Sequence, residues 1–130
     1  MAIKFFKCPI CGNVIVKLVD SGVVPVCCGE AMQLLEAGVT DGAHEKHVPV
    51  VTRTDRGTLQ ASVGQVAHPM LPEHHICFIA AETRHGVLVH QLTPGEPAQA
   101  EFCDITDEIV AVYEYCNLHG LWMTTDIPTK

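Results

Sequence analysis

The sequence predicts a mainly β protein in two parts: a small N-terminal module built around four cysteines, followed by an immunoglobulin-like β-sandwich. Three observations carry this reading. Beyond residue 47, short β-branched or alternating segments recur at a spacing of roughly 10–17 residues, separated by turn signals. No window of about 12 residues carries a convincing helical stripe. Cysteine and histidine are also partitioned: Cys8, Cys11, Cys27 and Cys28 fall in the first 28 residues, whereas the histidines begin at His44.

The elements follow in chain order. Residues 1–36 form the cysteine module, and 37–130 form the body. The boundary lies over Glu36-Ala37-Gly38-Val39-Thr40-Asp41-Gly42, where two glycines and an aspartate punctuate the chain. The first body strand spans Val48 to Thr54, which is rich in β-branched residues. Asp55-Arg56-Gly57 is a turn, and Thr58 to Val63 alternates with period two. Further strands are expected over His75–Ala80, Gly86–Leu92, Ala100–Ile105 and Ile109–Tyr115, with Pro94-Gly95-Glu96-Pro97 as a loop.

Composition excludes several classes of function. The 130 residues are 48% hydrophobic and 18% charged, the profile of a folded chain and not of a disordered one. Fifteen acidic against eight basic residues give a net charge of −7, the wrong sign for general nucleic-acid or anionic-membrane binding. The longest unbroken apolar run, Ile76 to Ala81, is far short of the ~20 residues a membrane span needs. The first residues, Met1-Ala2-Ile3-Lys4-Phe5-Phe6-Lys7, lack a secretory apolar stretch, so a cytoplasmic location is expected. Seven cysteines, an odd number, fit metal or redox chemistry better than a disulfide framework.

Cys8-Pro9-Ile10-Cys11-Gly12 is a metal knuckle: the tight turn aims both sulfurs at one point, and glycine relieves crowding behind it. Fifteen residues later Cys27-Cys28-Gly29 supplies a second pair. Four thiolates suit both zinc and iron, and the spacing does not choose between them. Tetrahedral bonds place two sulfurs about 3.8 Å apart. Adjacent residues of an extended strand send their side chains to opposite faces, so the backbone must bend at Cys27-Cys28 and one sulfur–metal–sulfur angle should open.

The body carries Glu45-Lys46-His47-Val48-Pro49, His68-Pro69-Met70, His74-His75 and Cys116-Asn117-Leu118-His119-Gly120, each at a predicted loop or strand end. Together they can supply four imidazoles and one thiolate. Structural zinc is usually satisfied by four ligands, so five mixed donors favour iron and leave one octahedral position free. A thiolate opposite that position would tune it electronically.

Taken together, these motifs resemble the desulfoferrodoxin family, the two-iron form of superoxide reductase. The resemblance spans essentially the whole chain and rests on Cys8-x-x-Cys11…Cys27-Cys28-Gly29-Glu30, Asp41-Gly42…Glu45-Lys46-His47-Val48-Pro49, His68-Pro69-Met70…His74 and Tyr115-Cys116-Asn117-Leu118-His119-Gly120. It implies two irons per chain: a desulforedoxin-like centre held by Cys8, Cys11, Cys27 and Cys28, and a catalytic centre with His47, His68, His74 and His119 as equatorial ligands and Cys116 as the axial one. His74 is preferred over its neighbour His75 because it keeps the family's interval of six from His68; an aromatic residue commonly stands where His75 does. The resemblance further implies reduction of superoxide to hydrogen peroxide, a rubredoxin-type electron donor and a homodimer. Lys46 would attract the anion and serve proton delivery, and Glu45 would close the sixth position in the ferric state.

An extended chain would point Glu45 and Lys46 in opposite directions, so their joint access to the iron is expected to need a mobile or irregular loop, with Gly42 as its source of freedom. His44, His85 and His90 match no ligand position and are expected at or near the surface. Cys77 and Cys103 are expected as small buried hydrophobes in strands. Two other readings use the same residues: an iron protein that only carries electrons, and a zinc-stapled binding module with incidental histidines.

Overall fold

The computed structural model describes residues 3–38, 42 and 44–129; Val39, Thr40 and Asp41 of the boundary segment and of the family motif lie outside them. The chain divides into two compact units, Met1–Glu36 and Ala37–Lys130.

The first unit has five short strands: β1 (Phe5–Lys7), β2 (Val14–Val16), β3 (Val26–Cys27), β4 (Glu30–Ala31) and β5 (Gln33–Leu34). β1 lies between β2 and β5, antiparallel to both, and β3 pairs with β4 across the Cys28-Gly29 turn. Among the described residues of this unit, Phe6, Cys8 and Met32 form a buried cluster with Cys27 packed against them, and Phe5 is buried as well. So small a core cannot offset the conformational entropy of some 36 residues, and a cross-link at the cysteines is what such a unit requires.

The second unit begins with a single helical turn, α1 (His44–His47), which no periodicity announced. Seven strands follow: β6 (Pro49–Arg53), β7 (Leu59–Val63), β8 (Ile76–Thr83), β9 (Val87–Gln91), β10 (Gln99–Phe102), β11 (Ile109–Cys116) and β12 (Gly120–Thr124). They form two antiparallel sheets, ordered β10-β7-β6 and β12-β11-β8-β9. The core between them is made by alternate residues: Leu59, Ala61 and Val63 from β7, Ala100 and Phe102 from β10, and Ile76, Ile79, Ala81, Val112 and Cys116 from β8 and β11. Each expected strand is present, with ends moved by at most three residues. β12 went unread because Gly120-Leu121-Trp122-Met123-Thr124 has neither alternation nor β-branching at most positions.

A β-bulge sits where it matters for the site. Tyr115 pairs with Phe78, but Cys116 pairs with Ile76, so Cys77 is an extra residue in β8. Cys77 is therefore only half-buried, and Cys103, just beyond β10, is exposed. Neither is the buried small hydrophobe expected from the strand pattern: a bulge and a strand end override alternation at these two places. His44, His85 and His90 are exposed, as expected.

One buried ion pair ties the sheets to the C-terminal segment. Arg53 forms a two-pronged contact with Asp104, at 2.9 and 3.0 Å, and donates to the carbonyl of Pro128 at 2.9 Å. The Asp104 side chain is 1% exposed, so removing it leaves a largely buried guanidinium uncompensated. Asp104→Ala is expected to destabilise the second unit by about 3 kcal/mol or more. Trp122, the single tryptophan, reports this unit's denaturant transition by fluorescence; an unshifted midpoint would show the pair to be dispensable.

Candidate metal centres

In the first unit the four cysteine sulfurs lie within 4.8 Å of one another. The Cys11–Cys27 and Cys27–Cys28 sulfurs are 3.7 and 3.9 Å apart, close to the ~3.8 Å edge of a tetrahedral tetrathiolate. The chain achieves this by placing Cys28 in the left-handed region (φ 54°), followed by Gly29 (φ 74°). The backbone thus absorbs the adjacency of the two cysteines, and no wide angle between their sulfurs is needed. Backbone N–H groups of Cys11 and Ile10 donate to the Cys8 sulfur, both at 3.4 Å. Chiefly the Cys11 amide lowers the Cys8 thiol to about 6. The Cys27 and Cys28 thiols are pushed up instead, chiefly because Cys27 donates its S–H to the Cys8 sulfur and Cys28 to the Cys11 sulfur. Without a cation, four sulfurs at this distance must share protons; with one, all four can be thiolates.

The second cluster is assembled at one end of the sandwich by three local devices. α1 carries His47 inward, closed by a hydrogen bond from the Val48 N–H to the His44 carbonyl (2.9 Å). His68 lies in the β7–β8 connection, where its Nδ1–H donates to the Pro69 carbonyl at 2.7 Å and leaves Nε2 as a lone pair. The β11–β12 hairpin places Cys116 at the end of one strand and His119 in the turn, with Gly120 at φ 79°. Trp122 donates its indole N–H to the His119 carbonyl (2.9 Å) and stacks on His47 with centroids 5.1 Å apart.

The four imidazoles close a ring. Centroids of successive pairs, His47–His68, His68–His74, His74–His119 and His119–His47, are 4.7, 4.7, 5.0 and 4.8 Å apart, each pair nearly perpendicular. His47 Nε2 lies 3.1 Å from both His68 Nε2 and His119 Nδ1. Four coplanar nitrogens about 2.1 Å from one metal would be about 3.0 Å apart along each edge, whereas a tetrahedron would spread them to about 3.4 Å. The Cys116 sulfur lies 3.5 Å from His68 Nε2 and is completely buried.

Electrostatics prepare the imidazoles as neutral donors. Burial lowers His68 to about 4, assisted by its imidazole neighbours. Burial also lowers His74, followed by the charges of His119 and Lys46. Cys116 is pushed up by burial, opposed by the backbone N–H groups of Leu118 and His119. Glu114, two residues before it, is raised by burial to about 9 and has no hydrogen-bond partner for either oxygen among the described residues. Beside so dry a neighbourhood, a Cys116 thiolate needs a cation. His74 Nε2 is likewise buried with no hydrogen-bond partner among the described residues. One proton cannot serve the converging nitrogens at once, but one metal ion can, so this donor set fits a cation of square equatorial preference with a sulfur beneath it. Such a set suits iron and not tetrahedral zinc.

The structure brings together all nine residues expected to hold metal. It separates the rivals His74 and His75: the His75 ring turns away, with Nδ1 3.0 Å from the Leu71 carbonyl and Nε2 3.8 Å from the Cys77 sulfur. It places Lys46 near enough for its charge to act on His74. It does not place the Glu45 carboxylate among the clustered donors; Glu45 lines a cavity with His44, Gln65, Thr124 and Asp126. The expectation of a freely moving approach from Gly42 also changes. A Cβ on Gly42 would lie 3.1 Å from the His47 ring, 3.1 Å from Trp122 and 3.2 Å from His119 Cβ, so glycine there provides space and not freedom. Gly64, absent from the sequence reading, does the same behind α1: a Cβ would stand 2.7 Å from the Glu45 carbonyl oxygen.

Fold and sites define a two-centre metalloprotein, with a four-thiolate module and a β-sandwich bearing a four-imidazole, one-thiolate centre. The desulfoferrodoxin N-terminal domain profile matches residues 2–35, and the desulfoferrodoxin profile matches residues 39–125. The chain belongs to the desulfoferrodoxin family. It is 45% identical over 119 residues to the desulfoferrodoxin of Nitratidesulfovibrio vulgaris, covering 92% of this chain and 93% of that protein. It is 34% identical over 107 residues to the superoxide reductase of Thermococcus kodakarensis, covering 69% of this chain and 91% of that one. Among solved structures, the superoxide reductase from Treponema pallidum matches with a TM-score of 0.78 at 31% identity, over 95% of this chain and 99% of that one.

Gly64→Ala is expected to displace α1, destabilise the second unit by about 1–3 kcal/mol and lower iron content at the imidazole centre. Absorption of the four-thiolate centre should be unchanged. Full iron loading at both centres would show that α1 tolerates the extra methyl.

Proposed function

We propose that this chain is a superoxide reductase that converts superoxide to hydrogen peroxide at the His47, His68, His74, His119 and Cys116 centre. The observation that carries the proposal is the asymmetry of that donor set: four imidazoles in a square and a sulfur on the buried side, one ligand short of an octahedron. Cys116 has no exposure, whereas His74 and His119 keep some, so solvent approaches from the imidazole side. A pure electron carrier gains nothing from an incomplete shell, and a zinc staple has no use for a fifth donor.

When bound, ferrous iron supplies the single electron that superoxide takes up. Two protons complete hydrogen peroxide, and no dioxygen is formed. The residues supply the rest. Cys116 donates electron density from the buried side and favours the oxidised product state. Its thiolate is held by the Leu118 and His119 amides. Lys46, exposed beside His74, gives a local positive charge to a protein whose net charge is −7. It, or a water it orders, delivers a proton. Glu45 would be the further ligand able to close the metal site after turnover; since its carboxylate is not among the clustered donors, this role would require residues 44–47 to rearrange.

The four-thiolate iron completes the two-iron assignment, and a rubredoxin-type protein restores the electron. Homodimerisation is supported by the apolar residues left exposed on the first unit, Leu18, Val19, Val23 and Val26 among them. A reducing, cytoplasmic setting is supported by seven cysteines without a disulfide.

Pulse-generated superoxide mixed with the reduced protein should oxidise the imidazole-centre iron and yield one hydrogen peroxide per iron; dioxygen evolution, or no oxidation, would reject the reading. Cys116→Ser should lose the thiolate-to-iron absorption band of that centre together with activity, while the four-thiolate spectrum persists. Retained activity would overturn the axial assignment. Lys46→Ile should slow the bimolecular reaction by about tenfold and flatten its ionic-strength dependence with iron still bound. An unchanged rate would remove Lys46 from substrate attraction.

A further inference from the structure

We propose that Asn117 is a positioning residue that fixes His74 in the imidazole ring by clamping the backbone on both sides of it to the strand end that carries Cys116. The inference rests on the ligand reading above and names a residue that reading does not use.

Two of the four imidazole rings have a restraint of their own, and a third residue, His119, is held through its backbone carbonyl. His68 is held through Nδ1 by the Pro69 carbonyl. His47 stacks on Trp122, and the same indole bonds the His119 carbonyl. Among the described residues no hydrogen bond reaches the His74 ring, which meets only the edges of the His68 and His119 rings, and its buried Nε2 is left without a partner. Its position is therefore set by its backbone. That backbone belongs to a short turn in which Leu71 and His74 exchange N–H···O bonds of 2.9 and 3.1 Å, and Leu71, Pro72 and Glu73 are all exposed. A turn closed only on itself can move as a body.

Asn117 ties it down at three points. Its Nδ2 donates to the Glu73 carbonyl at 3.0 Å, and its Oδ1 accepts from the His75 N–H at 2.9 Å. Its own backbone N–H donates to the His75 carbonyl at 3.2 Å. One amide thus uses both ends of its side chain on the residues immediately before and after His74, and the pattern fixes its orientation, with the donor to a carbonyl and the acceptor to an N–H. Because Asn117 directly follows Cys116, the axial sulfur and the His74 segment share one anchor. Aspartate has the same shape but would set an oxygen against the Glu73 carbonyl; alanine keeps only the backbone bond.

The test uses full-length, iron-loaded protein and compares Asn117→Ala, Asn117→Asp and His74→Ala. Ferrous affinity of the imidazole centre is read by chelator competition, and its ferric electron paramagnetic resonance and thiolate absorption report geometry; the four-thiolate spectrum is the internal standard. Asn117→Ala should weaken iron binding at the imidazole centre by about 10- to 100-fold and move its ferric signal toward that of His74→Ala. Asn117→Asp should move the signal part of the way. If His74→Ala changes affinity and signal while both Asn117 variants keep wild-type values, the clamp is wrong. If Asn117→Ala does not fold, an unshifted Asn117→Asp overturns it and a shifted one supports it. If His74→Ala itself changes nothing, the ligand reading fails, and the clamp fails with it.

Discussion

Five donor atoms held within 4.8 Å at the end of a dry sandwich are stable only with a cation among them. The surrounding structure serves that convergence. Burial lowers His68 and His74 toward the neutral form, which suits metal binding and disfavours a cluster of imidazolium ions. The same burial opposes a Cys116 thiolate. Two amide donors soften that penalty, and the neighbouring Glu114 is itself raised to about 9, so it adds little negative charge near neutral pH. The metal supplies the remaining charge. The first unit meets the same constraint in simpler form: its small core and four close sulfurs make metal binding part of its folding.

Geometry translates this into chemistry. His47 Nε2 lies 3.1 Å from His68 Nε2 and from His119 Nδ1, edges that would suit the equator of a metal ion, and the buried Cys116 sulfur would supply a fifth donor. On the proposed reading, reaction would take place on the side where His74 and His119 keep some exposure and where the charge of Lys46 acts on His74. The bulge at Cys77 and the tight hairpin at Gly120 set the sulfur and His119 on one side of a strand end. Trp122 and Gly42 fill and empty the space around two of the rings. None of these supports is itself one of the clustered donors.

That division explains what the sequence made legible. The candidate donors were readable because metal chemistry restricts ligands to a few residue types at recognisable spacings, such as Cys8-x-x-Cys11 and Cys116-x-x-His119. Most sandwich strands were readable from alternation, as in Leu59–Val63, whose odd positions are all buried. β12 was not, because Gly120 and Trp122 are chosen for the hairpin and for His47 and not for strand pattern. α1 was not, because four residues contain too little periodicity to register. Gly42 and Gly64 act through close approach to segments distant in sequence, which no local pattern encodes. Cys77 and Cys103 were misread because a bulge and a strand end broke the alternation applied to them.

Diffraction with anomalous scattering at the iron edge tests the convergence most directly. Two iron peaks per chain are expected, one among the sulfurs of Cys8, Cys11, Cys27 and Cys28, the other at the centre of the four imidazoles and bonded to Cys116. An iron peak missing from the imidazole square, or a peak there scattering as zinc, would contradict the account.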